Sequence, residues 1–269
     1  MLKMPQFFDS RQQMHTNTFE AFYYREAKPT EVKVHHHDFY EVYNLLSGNV
    51  SYWVDGRLYH LCSGDILLIR PMELHRPIIQ PDTQYERYVL WINKNYLETL
   101  VTTDNLTQCF SASSNLLHGG AITPLLSALA AEQHSDRFGA DIYSQGIFLQ
   151  LIVELNRLSP IGTQSTDHSP LIASVVEFIG SQYQTELSLD HLAKHFHISK
   201  YYLSHAFKKE TGTSVYHYIT LKRLAVARQM LMDGILPSDV YLACGFRDYT
   251  AFFKAFKAEY NASPSVIRK

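Results

Sequence analysis

One hydrophobic pattern occurs twice in the C-terminal third of the chain. Two apolar pairs with a spacing of four residues, Leu203/Phe207 and Phe252/Phe256, recur 49 residues apart and predict two helices that each bury one face. A helix-capping residue precedes each pair, and a residue that tolerates the left-handed conformation follows it. These flanking residues are Ser199 and Gly212 for the first helix, and Asp248 and Asn261 for the second. The matching signals favour a duplicated unit over an ordinary helical bundle.

A shorter apolar segment precedes each of these helices and is joined to it by a tight turn. The first segment covers residues 189–196 after the capping residue Ser188, and the second covers residues 239–244 after Pro237 and Ser238. Such a pair of helices is typical of the helix-turn-helix, which places its second helix in the major groove of DNA. The sequence therefore predicts an all-α domain at residues 171–269 with two such units.

The polar faces of the two longer helices carry side chains that suit DNA. Hydroxyl, imidazole and cationic groups bond base edges or phosphates, and aromatic carbon contacts thymine methyl groups. The candidates at the first helix are Lys200, Tyr201, Ser204, His205, Lys208 and Lys209. The candidates at the second helix are Arg247, Tyr249, Thr250, Phe253, Lys254 and Lys257. The alternative is that these faces are merely solvated.

Short aromatic and β-branched segments replace the helical pattern between residues 18 and 92. Asp55-Gly56 is the strongest hairpin signal, and it predicts strands at Val50–Val54 and Arg57–Leu61. Closely spaced strands and turns indicate an antiparallel sandwich or barrel. We therefore expect an α+β protein in which an N-terminal antiparallel β-barrel with flanking helices precedes the all-α domain.

A second helical pattern lies between the β segments and the C-terminal domain. It covers residues 119–158, after a β domain at residues 1–118, and a polar linker follows at residues 159–170. It contains two apolar stripes, namely Leu125, Leu126 and Leu129, and then Ile142, Leu149, Ile152, Val153 and Leu155. The second stripe either packs on the β domain or forms a seam with a second subunit. We favour a homodimer, because linked modules gain affinity on adjacent DNA sites.

Charge divides the chain in the way that a DNA-binding C-terminal domain requires. Residues 171–269 hold 12 Lys and Arg against 8 Asp and Glu, whereas residues 1–170 hold 12 against 18. A basic domain binds phosphates by releasing counterions, so its affinity for DNA should fall steeply with salt. Three widely spaced cysteines indicate reduced thiols, and no long apolar run or leader is recognisable. These features predict a cytoplasmic protein that does not enter a membrane.

The C-terminal sequence resembles the DNA-binding domain of AraC/XylS transcription regulators. The resemblance is carried by LAKHFHISKYYLSHAFKKETGTSVYHYITLKRLAVARQML and CGFRDYTAFFKAFKAEYNASPSVIRK. It implies two recognition helices in successive major grooves of double-stranded DNA, separated by a connecting helix at residues 215–231. It also implies a dimerisation helix before the linker, and RNA polymerase as a partner if the protein activates transcription. By position, the implied base-reading residues are Tyr201, Ser204, His205, Tyr249, Thr250 and Lys254. His205 stands where the family often has arginine, which weakens the expectation of a bidentate guanine contact.

Histidines and a glutamate recur at alternate positions before the hairpin. Residues of equal parity in a strand point to one side. The expected inward-facing residues are His35, His37, Phe39, Glu41 and Tyr43, whereas His36 is expected at the surface. The spacing resembles the first cupin motif, and residues 64–75 resemble the second, with Glu73 where cupins often have glycine. In metal-dependent cupins the positions of His35, His37, Glu41 and His75 bind a divalent transition metal. Regulators with such a domain often use similar residues to hydrogen-bond an effector or to complete the inner face.

A pocket for a small-molecule effector is the second expectation for this domain. Aromatic rings stack on the C–H faces of sugars while polar groups bond their hydroxyls, so a sugar or sugar derivative suits the pocket. The predicted effector-binding residues are His35, His37, Phe39, Glu41, Tyr43, Trp53 and His75. Two functions therefore compete. An effector-responsive transcription regulator is favoured over a metal-dependent cupin enzyme fused to a DNA-binding domain, because no acid or base beyond the candidate ligands is apparent.

Overall fold

The computed structural model describes residues 13–27, 31–80, 84–100, 105–111, 115–158 and 170–268. The predicted linker at residues 159–170 lies outside these ranges except for Pro170. None of the helices in the described ranges is both long enough and apolar enough to span a membrane.

Eight antiparallel strands form two sheets among the described residues of the β domain, residues 19–117. The strand order is β1-β7-β2-β5-β8 in the first sheet and β4-β3-β6 in the second. The strands are β1 (Phe19–Glu26), β2 (Tyr40–Ser47), β3 (Val50–Val54), β4 (Arg57–Leu61), β5 (Ile66–Ile69), β6 (His75–Ile79), β7 (Tyr85–Ile92) and β8 (Leu116–Leu117). The predicted antiparallel, cupin-like architecture is confirmed, although the described strands form two facing sheets rather than one closed barrel.

The predicted hairpin is present with the predicted strands. Asp55 and Gly56 have φ values of 41° and 90°, the left-handed conformations that a tight hairpin turn requires. The turn pairs Tyr52 with Tyr59 and Trp53 with Leu58. Because successive side chains alternate, Tyr52 points between the two sheets and Trp53 points to the opposite face of the second sheet.

Two short helical elements and two longer helices follow the last long strand. They are α1 (Lys94–Thr99), a 3-10 turn (Gln108–Ser111), α2 (Thr123–Glu132) and α3 (Ala140–Leu158). Helices α2 and α3 cover the outer face of the first sheet, where Leu126 and Phe148 pack beside Phe19. The second apolar stripe of the sequence divides between two faces. Ile152 and Leu155 are buried, whereas Ile142, Leu149 and Val153 are exposed, because the 100° step of a helix places the two groups on different sides.

Seven helices form the helical domain, residues 170–268. They are α4 (Pro170–Gln182), α5 (Leu189–His195), α6 (Lys200–Thr211), α7 (Val215–Met232), α8 (Pro237–Ala243), α9 (Tyr249–Tyr260) and α10 (Pro264–Ile267). Helix pairs α5/α6 and α8/α9 are the two predicted helix-turn-helix units, and α7 is the predicted connecting helix. The predicted caps are confirmed, since Ser199 accepts a hydrogen bond from the Tyr202 amide at 3.1 Å and Asp248 accepts one from the Ala251 amide at 2.7 Å.

Helical and β domains share a hydrophobic core. Trp53 and Leu74 of the β domain pack with residues of α4, α6 and α7, and the ring of Trp53 meets that of Tyr218 edge to face at 5.9 Å. The Tyr218 hydroxyl also donates a hydrogen bond to Asp55 at 3.1 Å, and Lys222 forms an ion pair with the same carboxylate at 3.4 Å. The hairpin predicted from Asp55 is therefore also a docking surface for α7.

Candidate functional site

The polar faces of both recognition helices point to solvent while the domains are docked. The predicted DNA-binding residues that are exposed are Lys200, Tyr201, Ser204, His205, Lys208, Lys209, Arg247, Tyr249, Thr250, Lys254 and Lys257. Phe253 is half-buried. Lys200 pairs with Asp190 at 2.8 Å, and Arg247 pairs with Glu186. The described residues of the β domain therefore do not cover this surface.

The opposite faces of these helices hold them in place. Leu203 and Phe207 of α6 have no exposed surface and pack in the core that includes α4 and α7. Phe252 and Phe256 of α9 are equally buried, in a core with α7, α8 and α10. Helix α7 contributes to both cores, so it mounts the two recognition helices on one support.

Two contacts that the sequence did not predict hold the α4–α5 loop, which leads into the first helix-turn-helix unit. Arg223 of α7 donates hydrogen bonds to the carbonyls of Tyr183 and Thr185 in this loop, both at 2.8 Å. Gly245, in the turn of the second unit, lies against the same loop. A Cβ at this position would stand 2.7 Å from the carbonyl oxygens of Tyr183 and Gln184, and φ is +80°, so only glycine fits. Because these residues are far apart in the chain, no local sequence pattern indicates the contacts.

Two buried histidines, His37 and His75, and the half-buried His35 converge between the two sheets of the β domain. His35, His37 and His75 each bond a backbone carbonyl through Nδ1, at 2.8, 2.9 and 2.7 Å respectively. A carbonyl oxygen only accepts, so Nδ1 carries the proton and Nε2 presents a lone pair in the neutral ring. Burial lowers the pKa of all three imidazoles below the ordinary value, which favours the neutral form. All three buried Nε2 atoms lack a hydrogen-bond partner among the described residues.

Glu41 completes this histidine cluster. Its Oε2 accepts a hydrogen bond from Trp91 Nε1 at 3.0 Å and lies 3.3 Å from His37 Nε2. Ligand atoms of His37, Glu41 and His75 all lie within 4.8 Å of one another. The ring of His35 is 4.2 Å from that of His75, but its ligand atoms do not belong to this close group. A carboxylate oxygen and an imidazole lone pair repel at this distance, so a cation between them would be stabilised. The donor set therefore fits a divalent transition metal, as the cupin resemblance implies.

Glu73 does not belong to the histidine cluster. Its carboxylate accepts hydrogen bonds from the Arg70 amide at 2.8 Å and from Asn115 at 3.1 Å, and it pairs with the Arg70 side chain. Its backbone carbonyl, however, accepts a hydrogen bond from Nδ1 of His75. The residue that departs from the cupin pattern therefore orients one candidate ligand.

The interior pocket beside the histidine cluster is small. It is lined by Tyr24, Val32, His35, Glu41, Tyr43, Tyr52, Pro77, Tyr85, Arg87, Val89 and Trp91. The centre of a water-sized sphere can occupy only about 20 Å³ of it, and one water needs about 10–15 Å³. Arg87 also lines the pocket, although it is not among the predicted effector-binding residues. Its only mark in the sequence is that it is the single cationic residue of strand β7. The pocket holds an ion or one or two waters, and a larger ligand requires side-chain movement.

Of the predicted effector-binding residues, His35, Glu41 and Tyr43 line this pocket, whereas His37, Phe39, Trp53 and His75 do not. The predicted positions of Trp53 and His36 are wrong. Trp53 does not line the interior pocket, because its place in β3 directs the ring to the helical domain. His36 is not a surface residue: it is buried and shares a hydrogen bond of 3.0 Å with the hydroxyl of Tyr260 in α9. Next to it, Asp38 forms an ion pair with Arg228 of α7 at 2.8 Å. Both misassigned residues face a domain that the sequence alone did not place there.

Comparisons with known proteins match both domains. Residues 20–152 match the AraC-like ligand binding domain, and residues 192–269 match a helix-turn-helix domain. The lactose operon transcription activator of Staphylococcus xylosus is 28% identical over 83% of this chain and 81% of its own length. The HTH-type transcriptional activator RhaR of Cronobacter sakazakii is 23% identical over 87% of this chain and 86% of its own.

One solved structure, that of ToxT from Vibrio cholerae, is similar at 13% identity over 93% of this chain and 97% of that one, with a TM-score of 0.40. The two relatives described above are named as transcription activators, which does not support the alternative of a cupin enzyme. The AraC-like ligand binding domain and the helix-turn-helix domain occur here in the order expected from the sequence. The chain therefore belongs to the AraC family of DNA-binding transcription regulators.

Proposed function

We propose that this regulator reads two successive major-groove segments with α6 and α9 and activates transcription in response to a small molecule. The observation that carries the proposal is the exposure of both polar helix faces, while the opposite faces are anchored to the common support α7. Recognition helices act in this way when their polar side chains reach base edges.

The proposed contacts divide into base-reading and phosphate-binding groups. The base-reading residues are Tyr201, Ser204, His205, Tyr249, Thr250 and Lys254, and the half-buried Phe253 offers aromatic carbon beside them. Phosphate contacts come from Lys200, Lys208, Lys209, Arg247 and Lys257, whose cationic side chains are exposed at the edges of the same faces. The former group sets sequence preference, and the latter sets affinity and its dependence on salt.

The proposed effector is a sugar or sugar derivative bound by the β domain. A relative is named for the lactose operon, and aromatic rings such as Phe39, Tyr43 and Trp91 are buried near polar groups. Such surroundings suit a molecule with both C–H faces and hydroxyls. Binding in the interior pocket would use His35, Glu41 and Tyr43 of its lining, after side chains have moved to enlarge the available space.

A divalent transition metal is the proposed ligand of the histidine cluster itself. His35, His37, Glu41 and His75 would hold the ion through three imidazole nitrogens and one carboxylate. The support for this assignment is the set of unpartnered Nε2 atoms, whose Nδ1 protons are already fixed by backbone carbonyls. Metal-binding histidines are commonly oriented by such hydrogen bonds. The bound ion would supply positive charge to a polar group of the effector.

A homodimer formed through α3 is the proposed assembly. Helix α3 leaves Ile142, Leu149 and Val153 exposed on the side away from the sheet, at 71%, 43% and 37% of their full surface. Their spacing of seven and four residues is that of a two-helix seam. A dimer would present four recognition helices to DNA, and RNA polymerase would be the partner in activation.

The test of DNA reading is selection of binding sites from random duplexes with the full-length protein, followed by affinity measurements. We expect a selected site with two conserved segments about 10 base pairs apart, one helical turn. Lys254→Ala removes a proposed base contact, so its affinity for the selected site should fall about tenfold and its preference at one position should relax.

Arg25→Ala is the matched control, because it removes the same charge from an exposed position of β1 in the β domain. Its affinity should equal that of the wild type at each salt concentration. If no site is enriched, or if Lys254→Ala binds the selected site as tightly as Arg25→Ala does, the assignment of α9 as a base-reading helix is wrong.

A further inference from the structure

A polar cleft separates the β domain from α7, on the side of the histidine segment that faces the helical domain. Within it, the centre of a water-sized sphere can move through about 270 Å³. A single water needs about 10–15 Å³ of such space, so the cleft has room for a molecule of sugar size without rearrangement. The interior pocket has only about 20 Å³ by the same measure. The interior pocket is therefore large enough for an ion, whereas the cleft is large enough for a sugar.

Carboxamides dominate the wall of this cleft. Five of them line it: Gln13, Asn17, Asn93, Asn95 and Gln229. Each carboxamide has one accepting oxygen and one donating NH₂ group, which matches hydroxyl groups that both donate and accept. Two are held in place, since Asn93 accepts from the Tyr96 amide at 3.2 Å and Gln229 donates to Asp233 at 2.8 Å. A wall with fixed carboxamides favours a ligand that carries several hydroxyls.

The remaining lining groups limit the charge of the ligand and provide apolar contact. Asp38 of the β domain and Arg228 of α7 both line the cleft. They form an ion pair at 2.8 Å, so their charges largely neutralise one another. Lys94 adds one cation. Phe39, Met14 and Met232 provide apolar surface on which C–H groups can pack. The lining thus offers one aromatic ring, one ion pair, one further cation and five carboxamides. This set suits a neutral sugar better than a multiply charged phosphate ester.

We infer that this cleft binds a neutral polyhydroxylated molecule of monosaccharide size, which touches the β domain and α7 at once. The inference rests on the proposed function only in treating this molecule as the effector, and it places that molecule in the cleft rather than in the interior pocket, which is too small for a sugar unless side chains move. Because its contacts come from both domains, the molecule binds the docked arrangement and stabilises it. Phe39, whose ring stacks on His37 at 3.9 Å, places the occupant next to the histidine cluster.

The test is isothermal titration of the full-length protein, without DNA, with D-glucose, D-galactose and D-xylose, and with D-galactose 6-phosphate. We expect at least one neutral sugar to bind. Asn17→Ala and Gln229→Ala each remove a carboxamide from one side of the cleft, so each should weaken that binding about tenfold. Gln150→Ala removes an exposed carboxamide from α3, a helix that contributes no residue to the cleft lining. This variant should bind the sugar with unchanged affinity.

Three results would overturn the cleft assignment. The first is no binding of any neutral sugar up to about 10 mM, and the second is wild-type affinity in both cleft variants. The third is a loss of sugar binding in His75→Ala together with full binding in the cleft variants, which would locate the sugar in the interior pocket. A phosphate ester that binds where neutral sugars do not would contradict the stated charge class. DNA binding is measured separately, so its failure would concern the proposed function alone.

Discussion

His37 illustrates how the surroundings of one residue decide which atom it offers to a ligand. Its Nδ1 proton is committed to the carbonyl of Phe39, and its ring stacks on that of the same residue at 3.9 Å. The remaining nitrogen faces Glu41 at 3.3 Å with no proton to donate in the neutral ring. A buried imidazole lone pair that faces a carboxylate raises the free energy of the folded state unless a cation lies between the two groups.

Removal of one ligand should therefore abolish metal retention. We expect the wild-type protein, loaded with Zn²⁺, Ni²⁺, Co²⁺ or Mn²⁺ and then dialysed, to keep about one ion per chain, as measured by elemental mass spectrometry. His37→Ala should retain less than about a tenth of that amount. Glu41→Gln should also lose most of it, although the amide oxygen can still accept from Trp91 and preserve the packing.

His60→Ala serves as the control for these variants. His60 is an exposed histidine of the same domain, in β4, and its ring bonds Ser51. Its removal should not change the metal content. Equal metal content in His37→Ala and His60→Ala, or an empty wild-type protein after loading, would refute the metal assignment.

Helix α3 carries apolar side chains on two opposite faces. One face closes the outer side of the first sheet, where Phe148, Leu151 and Ile152 are fully buried. The other face exposes Leu149 and Val153 to solvent. Apolar side chains in a row on an exposed helix are typical of a surface that another chain covers.

Charge introduced on that outer row should separate the proposed dimer. Leu149→Asp with Val153→Asp places two carboxylates in the seam, so light scattering should report a monomer where the wild type gives a dimer. Gln150→Asp adds a carboxylate to the flank of the same helix and should leave the dimer intact. A monomeric wild type, or a dimer that survives both substitutions, would show that α3 is not the dimer surface.

Elements whose signals are local could be predicted from the sequence. The caps Ser199 and Asp248, the αL residues Gly212 and Asn261, and the Asp55-Gly56 turn each depend on neighbours within a few residues. The inward direction of Glu41 followed from strand parity alone. By contrast, the stripe of α3 was read as one face, since its two sets of apolar residues differ only by their angle around the helix.

Contacts between the domains could not be predicted, because they join residues far apart in the chain. Trp53 was assigned to the interior pocket and His36 to the surface, and both instead contact the helical domain. Nothing near either residue in sequence indicates which domain covers that side of the sheet. The polar cleft also forms between two domains, so no local pattern marks it.

The shared core of the two domains should make their stabilities interdependent. Trp53→Ala leaves a cavity beneath Tyr218 and removes an almost fully buried ring, a change that costs about 3–5 kcal/mol in protein cores. We expect faster amide hydrogen exchange in α7, by at least about tenfold, although the substitution lies in the β domain.

Trp53→Phe keeps an aromatic ring at this position and should retain most of the protection of α7. Peptides from β1 and β7, which lie in the other sheet, provide an internal reference. Unchanged exchange in α7 of Trp53→Ala, measured by mass spectrometry, would mean that the domains are not docked through this core in solution.

Four consecutive residues, His35 to Asp38, contact the histidine cluster on one side and helices α7 and α9 on the other. His35 and His37 turn toward the metal candidates Glu41 and His75, whereas the intervening His36 contacts α9 and the following Asp38 contacts α7. An occupant that moves the backbone of His35 and His37 would also move His36 and Asp38. A ligand-dependent change in DNA affinity would then pass through this four-residue segment, and insertion of one residue within it would uncouple ligand binding from DNA binding.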